Sequence, residues 1–303
     1  MNMNIESSSE LYKSQAQKLF EILNSVFKDE AGHYPSCTIK ITPDIRRDIY
    51  LFSSEKEKKH FDSFGVPDFN GFLIQPSSED LAFIILIAEK QFADSQYVHT
   101  LIHEIVHLHD YFRYYKDNGN LNIKSTAEQD KCYFREFYYW SEFHAKSVGI
   151  LVYAIYTYHV EYKLEPPLDG KYSLAIDFQT NALEESLVCF LSNSLPGRRN
   201  DLFWDFIYTL VGYYGRLSIV DFKGPEAIPD PSFPRDKMLK SFGKPVIDLF
   251  ALLKSMDTYE KAIPCLPSLK SLFDQIINKL NYDIFPWSIS EANLRDRLST
   301  LHN

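Results

Sequence analysis

Apolar positions recur at helical spacing over residues 9–29, where Leu11, Ala16, Leu19, Leu23, Val26 and Phe27 mark one face and predict an amphipathic helix. The period then falls to two. Thr38-Ile-Lys-Ile-Thr42 alternates as a half-buried strand, Ile49-Tyr-Leu-Phe52 reads as a second and Gly71-Phe-Leu-Ile-Gln75 as a third. Pro76-Ser-Ser-Glu-Asp80 supplies a turn, and Leu81 to Ala88 is an almost unbroken apolar run that predicts a fourth, buried strand. Helical spacing returns after Asp94 or Ser95, either of which is a plausible N-cap, and Thr126 to Tyr158 reads as one long helix. Glu165-Pro-Pro-Leu-Asp-Gly170 breaks the pattern, because consecutive prolines stop helices and Asp-Gly favours a turn. Beyond it Ile176–Ser192, Leu202–Leu217, Pro245–Met256 and Leu266–Asn281 read as helices, while the proline-rich Gly224–Pro234 cannot be regular. The expectation is an α+β chain: a sheet-bearing domain over 1–165 and a mainly helical one over 166–303.

Composition narrows the function classes. The 303 residues carry a net charge of −9, which argues against a nucleic-acid surface built from clustered Lys and Arg. Cys37, Cys132, Cys189 and Cys265 are far apart and form no Cys-x-x-Cys pair, so they read as reduced thiols. The polar, Ser- and Glu-rich start shows no secretory pattern. The most apolar long run, Leu202 to Val220, is interrupted by Asp205, Gly212, Gly215 and Arg216. Cytoplasmic residence without membrane contact is the expectation.

The stretch His99-Thr-Leu-Ile-His103-Glu104-Ile-Val-His107-Leu-His109-Asp110 stands apart. On a helix, the four-residue step from His103 to His107 turns through about 400°, so both imidazoles leave one face a turn apart. That geometry grips one metal ion. Glu104, next to the first ligand, is placed to hold and deprotonate a water there. With 9 histidines in the chain, such a His-Glu-x-x-His pattern arises by chance only about 0.02 times. The flanks Leu101, Ile102, Ile105, Val106, Leu108 and Phe112 are apolar, unlike those of a solvated face. Asp110 shares the ligand face, where it could orient an imidazole, although a position near the helix end suggests surface exposure. His109 is rotated about 200° from His107 and points elsewhere.

A catalytic zinc keeps three protein ligands and an open position. Arg113 stands six residues after His107, and Asp110 stands where a metzincin has Gly, so that arrangement is excluded. Within the long helix, Ser141, Ala145 and Gly149 form a small-residue ridge that lets another helix approach. Glu142 lies within about 60° of Ala145, whereas Glu136 falls on the opposite side. Glu142 is therefore the preferred third ligand, with Glu128 and Asp130 as reserves. The competing role for Glu142 is a surface i,i+4 pair with Lys146.

His103-Glu104-x-x-His107 followed by Glu142 with Ala145 three residues on resembles the gluzincin branch of the zincin metallopeptidases, and loosely the ImmA/IrrE-type bacterial peptidases, over residues 80 to 150. The resemblance implies a zincin-like small mixed sheet with a motif helix and a glutamate helix. It also implies zinc on His103, His107 and Glu142, and Glu104 as general base. A strand in the place of Leu81–Ala88 would border the cleft in that family, its free edge holding an extended peptide, and the helical half would form the other wall. The sequence departs from the family at Lys146, where thermolysin-like enzymes carry Asp, and at Val106, often Gly. The expected function is zinc-dependent hydrolysis of a protein or peptide. The alternatives are a non-catalytic binding or regulatory protein on the same fold, and a metal-dependent hydrolase of a non-peptide amide. Tyr208, Tyr213, Tyr214 and Arg216, with His99 and His144, are candidate transition-state donors by residue type alone.

Overall fold

The computed structural model describes residues 3–26, 36–53, 55–66, 68–93, 96–156, 196–219 and 242–279, together with residues 159, 163, 183 and 186. By backbone contact the chain divides into two compact units, one of 1–134 with 148–162 and one of 135–147 with 163–303. The chain is α+β, with a small mixed sheet and mostly helical content.

The first unit begins with β1 (Met3–Glu6), α1 (Glu10–Val26), β2 (Cys37–Thr42), α2 (Ile45–Phe52), α3 (Glu55–Phe64), β3 (Gly71–Ile74) and β4 (Phe83–Ala88). The four strands pair in the order β1-β2-β4-β3. β1, β2 and β4 are parallel, since helical crossovers separate them, and β3 joins β4 antiparallel through the turn at Pro76–Asp80. β4 is thus paired along both edges: Phe83 to Ala88 against Cys37 to Thr42, and Ile84 to Ile87 against Ile74 to Gly71. The expected free edge on β4 is overturned. Among the described strands the edges are β1 and β3.

Successive β4 side chains point to opposite faces. Ile84, Leu86 and Ala88 join Ile45, Ile49, Ile74 and Phe61 in one apolar cluster under α2. Phe83, Ile85 and Ile87, each at most 1 % exposed, face the other way. There Phe83 stacks on Tyr115 of α4 (Tyr97–Asn118). α4 also packs on α1 and β3. Every residue from Thr100 to Tyr111 of α4 is buried, so this helix is the centre of the unit rather than a surface element. Its C-terminus is Gly119, whose φ of 74° reverses the chain where a side chain would be strained.

Three sequence readings are corrected here. Ile49–Phe52 is the end of helix α2, not a strand, because Asp44 accepts from the Arg47 amide at 3.1 Å as an N-cap and Ile45, Asp48 and Ile49 bury one face. The polar start contributes β1, held by its ladder to Cys37–Lys40 with Ile5 as its buried anchor. The helix expected over 126–158 is two, α5 (Thr126–Lys131) and α6 (Phe134–Tyr156), parted at Tyr133 with φ 57°. In α1 the buried face is Ala16 and Phe20, with Tyr12 stacked on Phe92, whereas Leu11 is exposed. The possible caps Asp94 and Ser95 lie outside the described residues, as do the break at Glu165–Gly170, the loop Gly224–Pro234 and, but for Leu183 and Ser186, the helix at Ile176–Ser192.

The second unit comprises the first half of α6 with α7 (Pro196–Leu217), α8 (Lys244–Ser255), α9 (Tyr259–Ala262) and α10 (Leu266–Lys279). Trp140 is fully buried and donates its indole N–H to the Met256 carbonyl at 2.7 Å. Tyr139 stacks on Trp204 and meets Phe273 edge-on, which absorbs part of the aromatic content. Gly215 of α7 is needed for close approach, since a Cβ there would lie 2.7 Å from the Phe143 carbonyl oxygen and 2.6 Å from Lys146 Cβ. No helix among the described residues is long and apolar enough to cross a membrane.

Candidate metal centre

α4 presents His99, His103, His107 and Tyr111 as one row at i, i+4 spacing. The His103 and His107 rings meet edge-on with centroids 4.5 Å apart and Nε2 atoms 3.1 Å apart. Two nitrogens bound to one tetrahedral ion at about 2.0–2.1 Å would be separated by about 3.3 Å, so the pair already stands close to ligand spacing.

α6 crosses this row. A Cβ at Gly149 would touch His99 Cδ2 at 3.6 Å and His103 Cβ at 3.7 Å, and Ser141 and Ala145 of the same ridge are fully buried. Glu142 lies seven residues before Gly149, almost two whole turns, and so returns to nearly the same face. The ligand atoms of His103, His107 and Glu142 all lie within 4.8 Å of one another, the one such group found among the described residues. The reserves Glu128 and Asp130 are not part of it. Glu128 is committed to the α5 capping box, accepting from the Ser125 hydroxyl at 2.7 Å and its amide at 3.1 Å, which lowers its pKa.

All of these groups are dry. His103 and His107 are 8 % exposed, Glu104 5 % and Glu142 3 %. Gathering a carboxylate and two imidazoles in one interior patch costs several kcal/mol in desolvation, which a shared divalent cation would offset. Lys146 Nζ approaches Glu142 Oε1 at 3.8 Å, so the i,i+4 pair forms, but Glu142 is buried and the pair is not the surface one expected. Asp110 is only 3 % exposed, so the expected surface position is wrong. α4 is covered beyond His107 by Phe134, whose ring neighbours those of Tyr111, Tyr114 and Tyr115. His109 is also buried, and His144 stacks on Trp140.

Of the donor candidates in the second unit, Tyr214 gives its hydroxyl to the Val246 carbonyl at 2.9 Å, Tyr208 stacks on Tyr138, and burial lowers the Arg216 pKa.

Sequence reasoning missed what surrounds Glu104. Gly71 opens β3 directly against it: a Cβ at Gly71 would lie 3.0 Å from Glu104 Oε1, 3.1 Å from its Cγ and 2.5 Å from Thr100 Cγ2. A side chain at this position would force Thr100 and Glu104 to shift. A glycine at a strand start was the available signal, since such glycines often mark close contact.

Comparison with protein-family models, with curated proteins and with solved structures gives no match for this chain.

Proposed function

We propose that this chain is a zinc-dependent peptide hydrolase of zincin-like build. The observation that carries the reading is the buried convergence of His103, His107 and Glu142, with Glu104 one residue after the first ligand. Two imidazole nitrogens and one carboxylate suit zinc and leave an open coordination position. Zinc, when bound, supplies Lewis acidity toward the scissile carbonyl and a water. The protein's own part falls to Glu104, which takes the water proton and returns it to the leaving nitrogen as the amide bond breaks. His103 and His107 serve as neutral ligands, and Glu142 adds the negative charge that holds a dication. An extended peptide could add along β3, whose Gly71 end lies beside Glu104.

The test is cleavage of an unfolded protein pool such as denatured casein. Cleavage by the purified chain should disappear after dialysis against a chelator and return on adding stoichiometric zinc. A protein that cleaves nothing with one zinc bound would replace this reading with that of a binding protein.

Lys146 adds a further expectation. Its ammonium, 22 % exposed and 3.8 Å from Glu142, repels a dication held by the same carboxylate. Lys146→Met should tighten zinc binding about threefold to tenfold in a chelator-competition titration. An unchanged affinity would mean that solvent screens the pair.

A further inference from the structure

We infer that Gln91 is a positioning residue for Glu104, acting through the edge strand β3. Gln91 lies in the short 3₁₀ turn Glu89–Phe92 between β4 and α4 and is 9 % exposed. Its carbonyl accepts from the Thr100 hydroxyl at 3.2 Å, in a buried bond. Its amide N–H donates to Asn70 Oδ1 at 3.0 Å. Asn70 in turn accepts from the Ala88 amide through its backbone carbonyl at 2.9 Å, which extends the β3–β4 ladder by one bond. One side chain therefore ties the first turns of α4 to the residue preceding Gly71.

Both ends of this tie reach Glu104. Thr100 is one helical turn before it, and Gly71 follows Asn70 and abuts both Thr100 and the Glu104 carboxylate. β3 pairs with β4 along one edge only, among the described strands, and edge strands give way most readily. With the tie made, β3 stands as a wall that restricts the carboxylate to few rotamers. Without it, the gap between Gly71 and Glu104 widens and the base loses its aim. The amide at position 91 serves both contacts at once, accepting from Thr100 through its oxygen and donating to Asn70 through its nitrogen.

This inference rests on the hydrolase reading, and the experiment separates the two. The full-length, zinc-loaded chain is compared with Gln91→Met, Thr100→Val, the double variant and Thr100→Ser. The measurements are zinc content, kcat and KM on a casein-derived peptide pool, and hydrogen exchange over residues 70–75. Gln91→Met and Thr100→Val should each lower kcat about tenfold, with KM changed less than kcat and zinc content unchanged. The double variant should be no worse than either single one, and Thr100→Ser should keep wild-type kcat. Exchange over 70–75 should rise in every variant except Thr100→Ser. A Gln91→Met kcat within twofold of wild type, or losses that multiply in the double variant, overturns the inference while leaving the hydrolase intact. If the wild type cleaves nothing, the hydrolase reading falls. The tie is then decided by exchange alone: faster exchange in Gln91→Met and Thr100→Val supports it, and unchanged exchange overturns it.

Discussion

Glu104→Gln is expected to keep its zinc and to hydrolyse peptides about 10²- to 10⁴-fold more slowly than the wild type, the usual contribution of a positioned general base. The substitution is nearly isosteric. It preserves the shape of the side chain beside Gly71. A neutral amide is also easier to bury than a carboxylate at a position only 5 % exposed, so the fold should not suffer. What disappears is a group able to take a proton from water and give it to the leaving nitrogen. The measurement is single-turnover cleavage of a peptide pool at saturating zinc, with metal content determined on the same sample. A variant that holds one zinc and cleaves at the wild-type rate would remove Glu104 from the mechanism.

The second large effect concerns the metal. The wild-type protein, purified without an affinity-metal column, should carry one zinc per chain by elemental mass spectrometry, and His107→Ala and Glu142→Ala should carry almost none. Each removes one of three donors from a group within 4.8 Å. Loss of a ligand should weaken binding more than the roughly 10- to 100-fold seen when only a partner of a ligand is lost. The Glu142 result is the more informative, because His103 and His107 share one helix and would face each other whatever the rest of the chain did. Circular dichroism on both variants separates metal loss from unfolding. If the wild type binds no metal even after dialysis against zinc, His103 and His107 are structural, and the enzyme reading should be dropped.

Several features could be read from the chain because their causes are local. The His103–His107 juxtaposition follows from helical pitch alone, and the structure puts their nitrogens 3.1 Å apart. β2, β3 and β4 follow from their apolar runs, and α7, α8 and α10 from helical spacing, with most ends within two residues of expectation and α7 beginning earlier, at Pro196. Where local signals competed, the reading failed. Ile49–Phe52 has a strand's composition, yet the Asp44 cap and the buried Ile45–Asp48–Ile49 face make it a helix. β1 has hardly any apolar pattern of its own and exists because β2 offers it a parallel ladder. Asp110 resembles a solvated helix-end acid and is buried, because α4 is enclosed where an ordinary amphipathic helix would meet water.

The sequence by itself determined the helical pair of histidines, the acid beside it and the small-residue ridge that singled out Glu142, since each depends on spacing within one element. Only the tertiary structure decided that Glu142 stands within reach of two histidines some forty residues away. It also decided that β4 is paired on both edges while β3, among the described strands, is paired on one, and that Gly71 abuts Glu104 and Thr100 while Gln91 bonds Thr100 and Asn70. The physical reason is that helix phase and strand alternation are set by bonded neighbours. Which faces meet depends on burying the whole chain's apolar surface at once, a property no single window of sequence contains.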